Sequence, residues 1–155
     1  MNSACGECGV CAVHAETAAQ HDVAWQNDRW ILRHHPAPAP LAGWFLLDTR
    51  RHAASAADLN ANEEAEFAGV LAASMRAIRT VVGVPRVYVV MFGEGAHHLH
   101  AHLIARDPTR NDTTAWKVAD LYRMVERGEM QGADPAQVAR IAAGVGEMMR
   151  VTLSV

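Results

Sequence analysis

The chain is organised around the stretch His97-His98-Leu99-His100-Ala101-His102-Leu103-Ile104-Ala105-Arg106. From His98 to Leu103 polar and apolar residues alternate strictly, a period of two that marks a β-strand with one half-buried face. His98, His100 and His102 then line one face, with Leu99, Ala101 and Leu103 on the other. The apolar run from Val87 to Phe92 supplies an antiparallel neighbour. Same-face side chains on a strand stand roughly 6.6 Å apart, so the imidazoles form a row that spans a phosphate and its flanking groups rather than closing on one metal ion. Burying three imidazoles costs desolvation at each unless partners are supplied, and a strand selected for stability alone would carry Val or Ile there. The row therefore points to chemistry.

Upstream of this pair lies a helix. Asn60 and Glu63 have the spacing of a capping box, and Glu63, Glu64 and Glu66 put negative charge on the positive first turn. Phe67, Val70, Leu71, Met75, Ile78, Val81 and Val82 then recur at three and four, which predicts a helix over 62–82 that packs one stripe on a sheet and stops at Gly83 and Pro85. Gly93-Glu94-Gly95-Ala96 joins the 86–92 strand to the histidine strand. Farther back, 22–25 and 29–34 read as short strands turned at Gln26-Asn27-Asp28, with Trp25, Trp30 and Leu32 facing the core. Pro36, Pro38 and Pro40 break the sheet, and 44–48 resumes it, delivering Arg50-Arg51-His52 to its far end.

Residues 1–12 are rich in small residues and read as a loop. They carry Cys5, Cys8 and Cys11, two overlapping Cys-x-x-Cys pairs, each with the bite of a zinc knuckle; an incidental or redox cysteine cluster is the alternative. At the other end, helices are predicted over 114–127 and 135–150, with Asp134-Pro135 as N-cap and first helical residue and Gly128 ending the helix before. Trp116, Tyr122, Val125, Val138, Ile141, Val145 and Met149 are more apolar surface than a small sheet already covered by one helix needs. A homodimer, in which these stripes cover a second copy, is the expectation.

At 155 residues the chain fits a single domain, 1–155, with a core over about 8–106 and a helical extension over about 113–150. No stretch of 18 residues is free of charge, so no membrane span is expected. The N-terminus lacks the basic and apolar regions of a signal peptide, which makes the cytoplasm the expected location. A net charge of −3 argues against a broad surface for a nucleic acid polymer.

His98-Leu99-His100-Ala101-His102-Leu103-Ile104 resembles the His-φ-His-φ-His-φ-φ signature (φ apolar) of the histidine triad superfamily of nucleotide hydrolases and transferases. The trailing Arg106 and the order of the other landmarks agree with it, over roughly residues 8–106. The resemblance implies an α+β fold: an antiparallel sheet of about five strands backed by the long helix, here with two C-terminal helices added. It implies that His100 forms a nucleotidyl-histidine intermediate and that His102 contacts the phosphate and helps the leaving group depart. In zinc-containing members an N-terminal Cys-x-x-Cys, the His at the end of the strand after the Pro-rich turn and the first triad His bind one ion. On this chain those residues are Cys8, Cys11, His52 and His98, a closed site for structural zinc. Where many members hold the ribose hydroxyls with an acidic residue before the Pro-rich turn, this chain reads Arg33-His34-His35-Pro36.

From the residues themselves, a neutral imidazole is a competent nucleophile toward phosphorus, and the central His100 has a neighbour on each side to hold oxygens as charge builds. The expected function is attack at the α-phosphate of a nucleoside phosphoramidate, dinucleoside polyphosphate or related nucleotide ester. Two rivals stand beside it: a metalloenzyme with a catalytic metal on the triad strand, and a nucleotide-binding or interaction module with little turnover.

Overall fold

Five short segments, two of them buried along their whole length, build one antiparallel sheet. The computed structural model describes residues 8–16 and 22–153, so Cys5 lies outside the described residues. The strands are β1 (Val23–Gln26), β2 (Trp30–His34), β3 (Trp44–Thr49), β4 (Arg86–Val90) and β5 (His100–Arg106), in the order β1-β2-β3-β5-β4. Helix α1 (Gly9–Glu16) precedes them, α2 (Ala61–Val82) connects β3 to β4, and α3 (Val118–Glu126) and α4 (Pro135–Leu153) follow β5. This is the α+β arrangement expected, with the long helix between the third and fourth strands.

Registers place Asp48 opposite His100 and Leu46 opposite His102. Successive strand residues point to opposite faces. One face carries Trp30, Leu32, Phe45, Leu47, Ala101, Leu103 and Ala105, all buried under α2 and α4. The other carries Arg33, Trp44, Leu46, Asp48, His100, His102 and Ile104, and its ends are roofed by α1 beside Asp48 and by α3 beside Trp44 and Ile104.

The start of α2 is built as its sequence predicts. The Asn60 side chain accepts from the N–H groups of Asn62 and Glu63, and the Glu63 carboxylate accepts from the Asn60 N–H. Glu63 is buried and also takes the Arg51 guanidinium at 3.0 and 2.7 Å. One carboxylate thus caps the helix and clamps the corner that carries His52. Gly83 ends α2 in the left-handed conformation, φ 76°.

Several expectations are corrected. Residues 9–12, read as loop, open helix α1: Val10 and Cys11 bury one side of it, and that packing overrides the weak local preference of a glycine-rich segment. Strand β4 stops at Val90, leaving Met91 and Phe92 exposed. Trp116 falls before α3 and stands 93% exposed. The C-terminal stripes are covered within the chain: Ile141, Val145 and Met149 join the main core, and Val118, Leu121 and Val125 pack on Trp44 and Ile104. Of the residues that suggested a second copy, Val125, Ile141, Val145 and Met149 pack within the chain, while Trp116 does not.

Helix α4 approaches β1 so closely that a Cβ on Gly146 would stand 2.2 Å from the Ala24 carbonyl oxygen. Gly146→Ala is expected to push the helix off the sheet and lower stability by about 1–3 kcal/mol, the usual cost of overpacking, measured as a fall in the urea midpoint at unchanged slope.

Candidate functional site

The end of β5 separates the histidines of the repeat into two groups. His98 precedes the strand, because the extended backbone there bonds Ala53 and Thr49 rather than β4, and its ring is buried beneath α1. His100 and His102 lie in the strand on the partly open face, ring centroids 5.2 Å apart. Strict alternation correctly pairs His100 with His102; the place of His98 follows from where the ladder begins.

The first group surrounds His98. Its Nε2–H donates to the Thr49 carbonyl at 2.8 Å, which leaves the Nδ1 lone pair facing Cys8 Sγ at 3.5 Å and Cys11 Sγ at 3.4 Å. His52 Nδ1 stands 3.5 Å from Cys11 Sγ. Ligand atoms of Cys8, Cys11, His52 and His98 all lie within 4.8 Å of one another. A tetrahedral ion with Zn–S of about 2.3 Å and Zn–N of about 2.0–2.1 Å has S···N edges of about 3.5 Å, so the donor set and its spacing fit zinc. The carbonyl bond to Nε2 is the usual outer-shell contact that orients a metal-binding imidazole. This cluster is the one group of three or more potential ligands among the described residues, and it excludes His100 and His102.

The second group faces outward. His100 Nδ1 lies 2.6 Å from the His98 carbonyl oxygen; a carbonyl only accepts, so Nδ1 carries the proton and Nε2 keeps its lone pair. His102 is the reverse. The Trp44 indole Nε1–H, which only donates, reaches His102 Nδ1 at 3.0 Å, so Nδ1 is the acceptor and the proton sits on Nε2. Burial, reinforced by His100, His35 and Arg33, pushes His102 down to about 4, which keeps the ring neutral at pH 7.

No family model matches the sequence, and no curated protein does. Solved structures do. A hypothetical histidine triad nucleotide-binding protein from Sulfolobus tokodaii strain7 matches with a TM-score of 0.65 at 12% identity, over 93% of this chain and 93% of its own. A Zn-bound histidine triad family protein from Mycobacterium smegmatis gives 0.61 at 15% identity, over 96% and 94%. A uridylyltransferase mutant gives 0.67 at 19% identity, over 96% of this chain and 49% of its own. The fold is the histidine triad fold.

On this histidine triad fold the face beside His100 holds a group that sequence reasoning missed. Asp48 is fully buried, and its Oδ2 accepts from Arg33 Nε at 2.6 Å and from His14 Nε2 at 2.9 Å. Burial would raise its carboxyl, but His14 and Arg33 outweigh that and hold it below the usual carboxylate range. Oδ1 is buried with no hydrogen-bond partner among the described residues. The second strand thus carries Arg33 near where the resemblance places a carboxylate, and that arginine is paired to Asp48 on the third strand. The available signal was a single acid closing an otherwise apolar strand, Trp44-Phe45-Leu46-Leu47-Asp48, which requires a buried partner. At the opposite end, Tyr122 of α3, His35 and Trp44 form an aromatic wall, with ring centroids 5.5–6.0 Å apart, against which His102 rests at 5.8 Å from Trp44. Burial pushes His35 down to about 4 as well, so this wall is uncharged at pH 7.

Proposed function

We propose that the chain is a histidine triad nucleotide hydrolase or nucleotidyl transferase that works through a covalent intermediate on His100. The observation that carries this reading is the bond from His100 Nδ1–H to the carbonyl of His98. It fixes the tautomer with a lone pair on Nε2, and it places a carbonyl dipole where the ring becomes positive as the N–P bond forms. The substrate is a nucleotide ester or anhydride attacked at its α-phosphate. His102 donates its Nε2–H to a non-bridging oxygen. Water then attacks phosphorus, the electron pair of the N–P bond returns to His100 Nε2, and the surplus proton of the water leaves to solvent.

Zinc, held by Cys8, Cys11, His52 and His98, belongs to the same reading. The site is closed by four protein ligands, so the ion would tie α1 and the His52 corner to the start of β5 without presenting a catalytic water. A metalloenzyme with its metal on the triad strand loses support, because His98 turns to the cysteines while His100 bonds the backbone.

Incubation with a panel of adenylyl and guanylyl compounds, followed by product analysis and intact-protein mass, tests the proposal. One nucleotidyl group per chain should be trapped early in turnover, and the adduct should be absent from His100→Ala. Turnover with an unmodified His100 peptide would overturn it.

A further inference from the structure

Trp44 stands at the aromatic end of the site and cannot react, but its effect on His102 decides what that histidine can do. The indole N–H has no acceptor capacity. With Nε1 of Trp44 3.0 Å from His102 Nδ1, a second proton on the imidazole would have to sit on Nδ1, head to head with the indole proton. Trp44 cannot turn away: it is buried, packed between Leu41, Ile104 and the α3 residues Val118 and Leu121, with Tyr122 and His35 against its ring.

We propose that Trp44 holds His102 as a neutral Nε2–H donor that cannot become an imidazolium, and that the site therefore selects substrates by leaving group. A neutral imidazole steadies a phosphoryl oxygen well. It is a very poor acid, because giving up its Nε2 proton would leave an imidazolate. His102 then binds the transferring phosphoryl group but does not protonate what departs. Of the other groups facing it, His100 of β5 has its one proton committed to the His98 carbonyl, and His35, beside the Pro-rich turn, bonds the Pro36 carbonyl through Nδ1. Asp48 of β3 is ionised, and Arg33 of β2 is held on it. Tyr122 of α3 is made a weaker acid by burial. The protons of these groups are thus absent, already committed to backbone carbonyls or an ion pair, or held by a weakened acid.

The consequence concerns substrate class, and it rests on the nucleotidyl-transfer reading above. In the first step His100 Nε2 forms a bond to the α-phosphorus while the bond from phosphorus to the leaving atom breaks, its electron pair going to that atom. A phosphate, polyphosphate or carboxylate accepts the pair as a stable anion without a proton. An amine must be protonated to leave. The favoured substrates are accordingly nucleotidyl anhydrides, polyphosphate or acyl, over nucleoside phosphoramidates with the same nucleotidyl half.

Two measurements on the purified full chain test this separately. In 15N-labelled protein without substrate, a scalar coupling across the hydrogen bond is expected between Trp44 Nε1 and His102 Nδ1, with His102→Gln assigning the ring. Its absence, or a proton found on Nδ1 at pH 7, overturns the proposal whatever the activity. In turnover, diadenosine polyphosphate should exceed adenosine phosphoramidate in kcat/KM by on the order of 100-fold or more, the range a general acid supplies. In Trp44→Phe, protonation of His102 should begin at higher pH and that preference should shrink by at least about tenfold. Equal cleavage of both compounds by the wild type, or an unchanged preference in a folded Trp44→Phe, overturns the selectivity. If neither compound is cleaved, the nucleotidyl-transfer reading fails and the selectivity with it, while the coupling still decides the state of His102. The wild-type measurements stand even if the variant does not fold.

Discussion

Alanine at position 100 is expected to cut nucleotidyl transfer to below about a thousandth of the wild-type rate, the scale seen when a covalent catalyst is deleted. The expectation is strong because the side chain has little else to do. His100 is half-buried, takes no part in the apolar cores, and is not among the four clustered ligands. What is lost is one bond to the His98 carbonyl and one ring contact with His102. Folding should therefore survive, which thermal melts of both proteins check, so that the rate loss reports the nucleophile alone. Residual turnover above a thousandth in a folded His100→Ala protein would point to a different attacking group.

Removal of the metal should have the largest effect on stability. Cys8 and Cys11 flank the first turn of a helix only eight residues long, a segment with too little buried surface to hold its place unaided. Its attachments include the thiol contacts to His52 and His98, the His14–Asp48 bond, the edge contact of the His14 and His98 rings and a small apolar contact with Ala96. An ion present at about a thousand times its dissociation constant adds roughly 4 kcal/mol, which for a chain of this length corresponds to roughly 8–16 °C in Tm. Protein prepared without chelator should carry one zinc per chain. Chelation should lower Tm by that amount, and Cys8→Ser or Cys11→Ser should do the same. Cys5→Ser, outside the described residues, should change neither metal content nor Tm. A chain that binds no metal, or that loses it on Cys5→Ser and keeps it on Cys11→Ser, would overturn the assignment of the ligands.

The period of two around His100 places that histidine and His102 on one strand face, and the period near 3.6 after Asn60, with its capping box and Gly83, sets the long helix. Such patterns are readable because they are local: each is carried by residues within a few positions of one another. Proline breaks and glycine stops worked for the same reason. The four metal-ligand candidates came instead from the histidine triad resemblance, and the structure brings Cys8, Cys11, His52 and His98 within 4.8 Å.

Tertiary structure alone decided the rest. Whether residues 9–16 coil or form a helix depends on what buries Val10 and Cys11, and that surface comes from segments some ninety residues away. That Ile141, Val145 and Met149 reach the main core depends on α4 lying close on β1, which the bare Cα of Gly146 permits. The buried array of His14, Arg33 and Asp48 joins three elements with no shared periodicity, so its charges look like unrelated surface residues until strand register brings them together. The tautomers of His100 and His102 are furthest from the sequence. Both are histidines on the same strand face, and they differ because one ring meets a carbonyl and the other an indole N–H, a distinction set by the donor or acceptor character of whatever the fold packs against each.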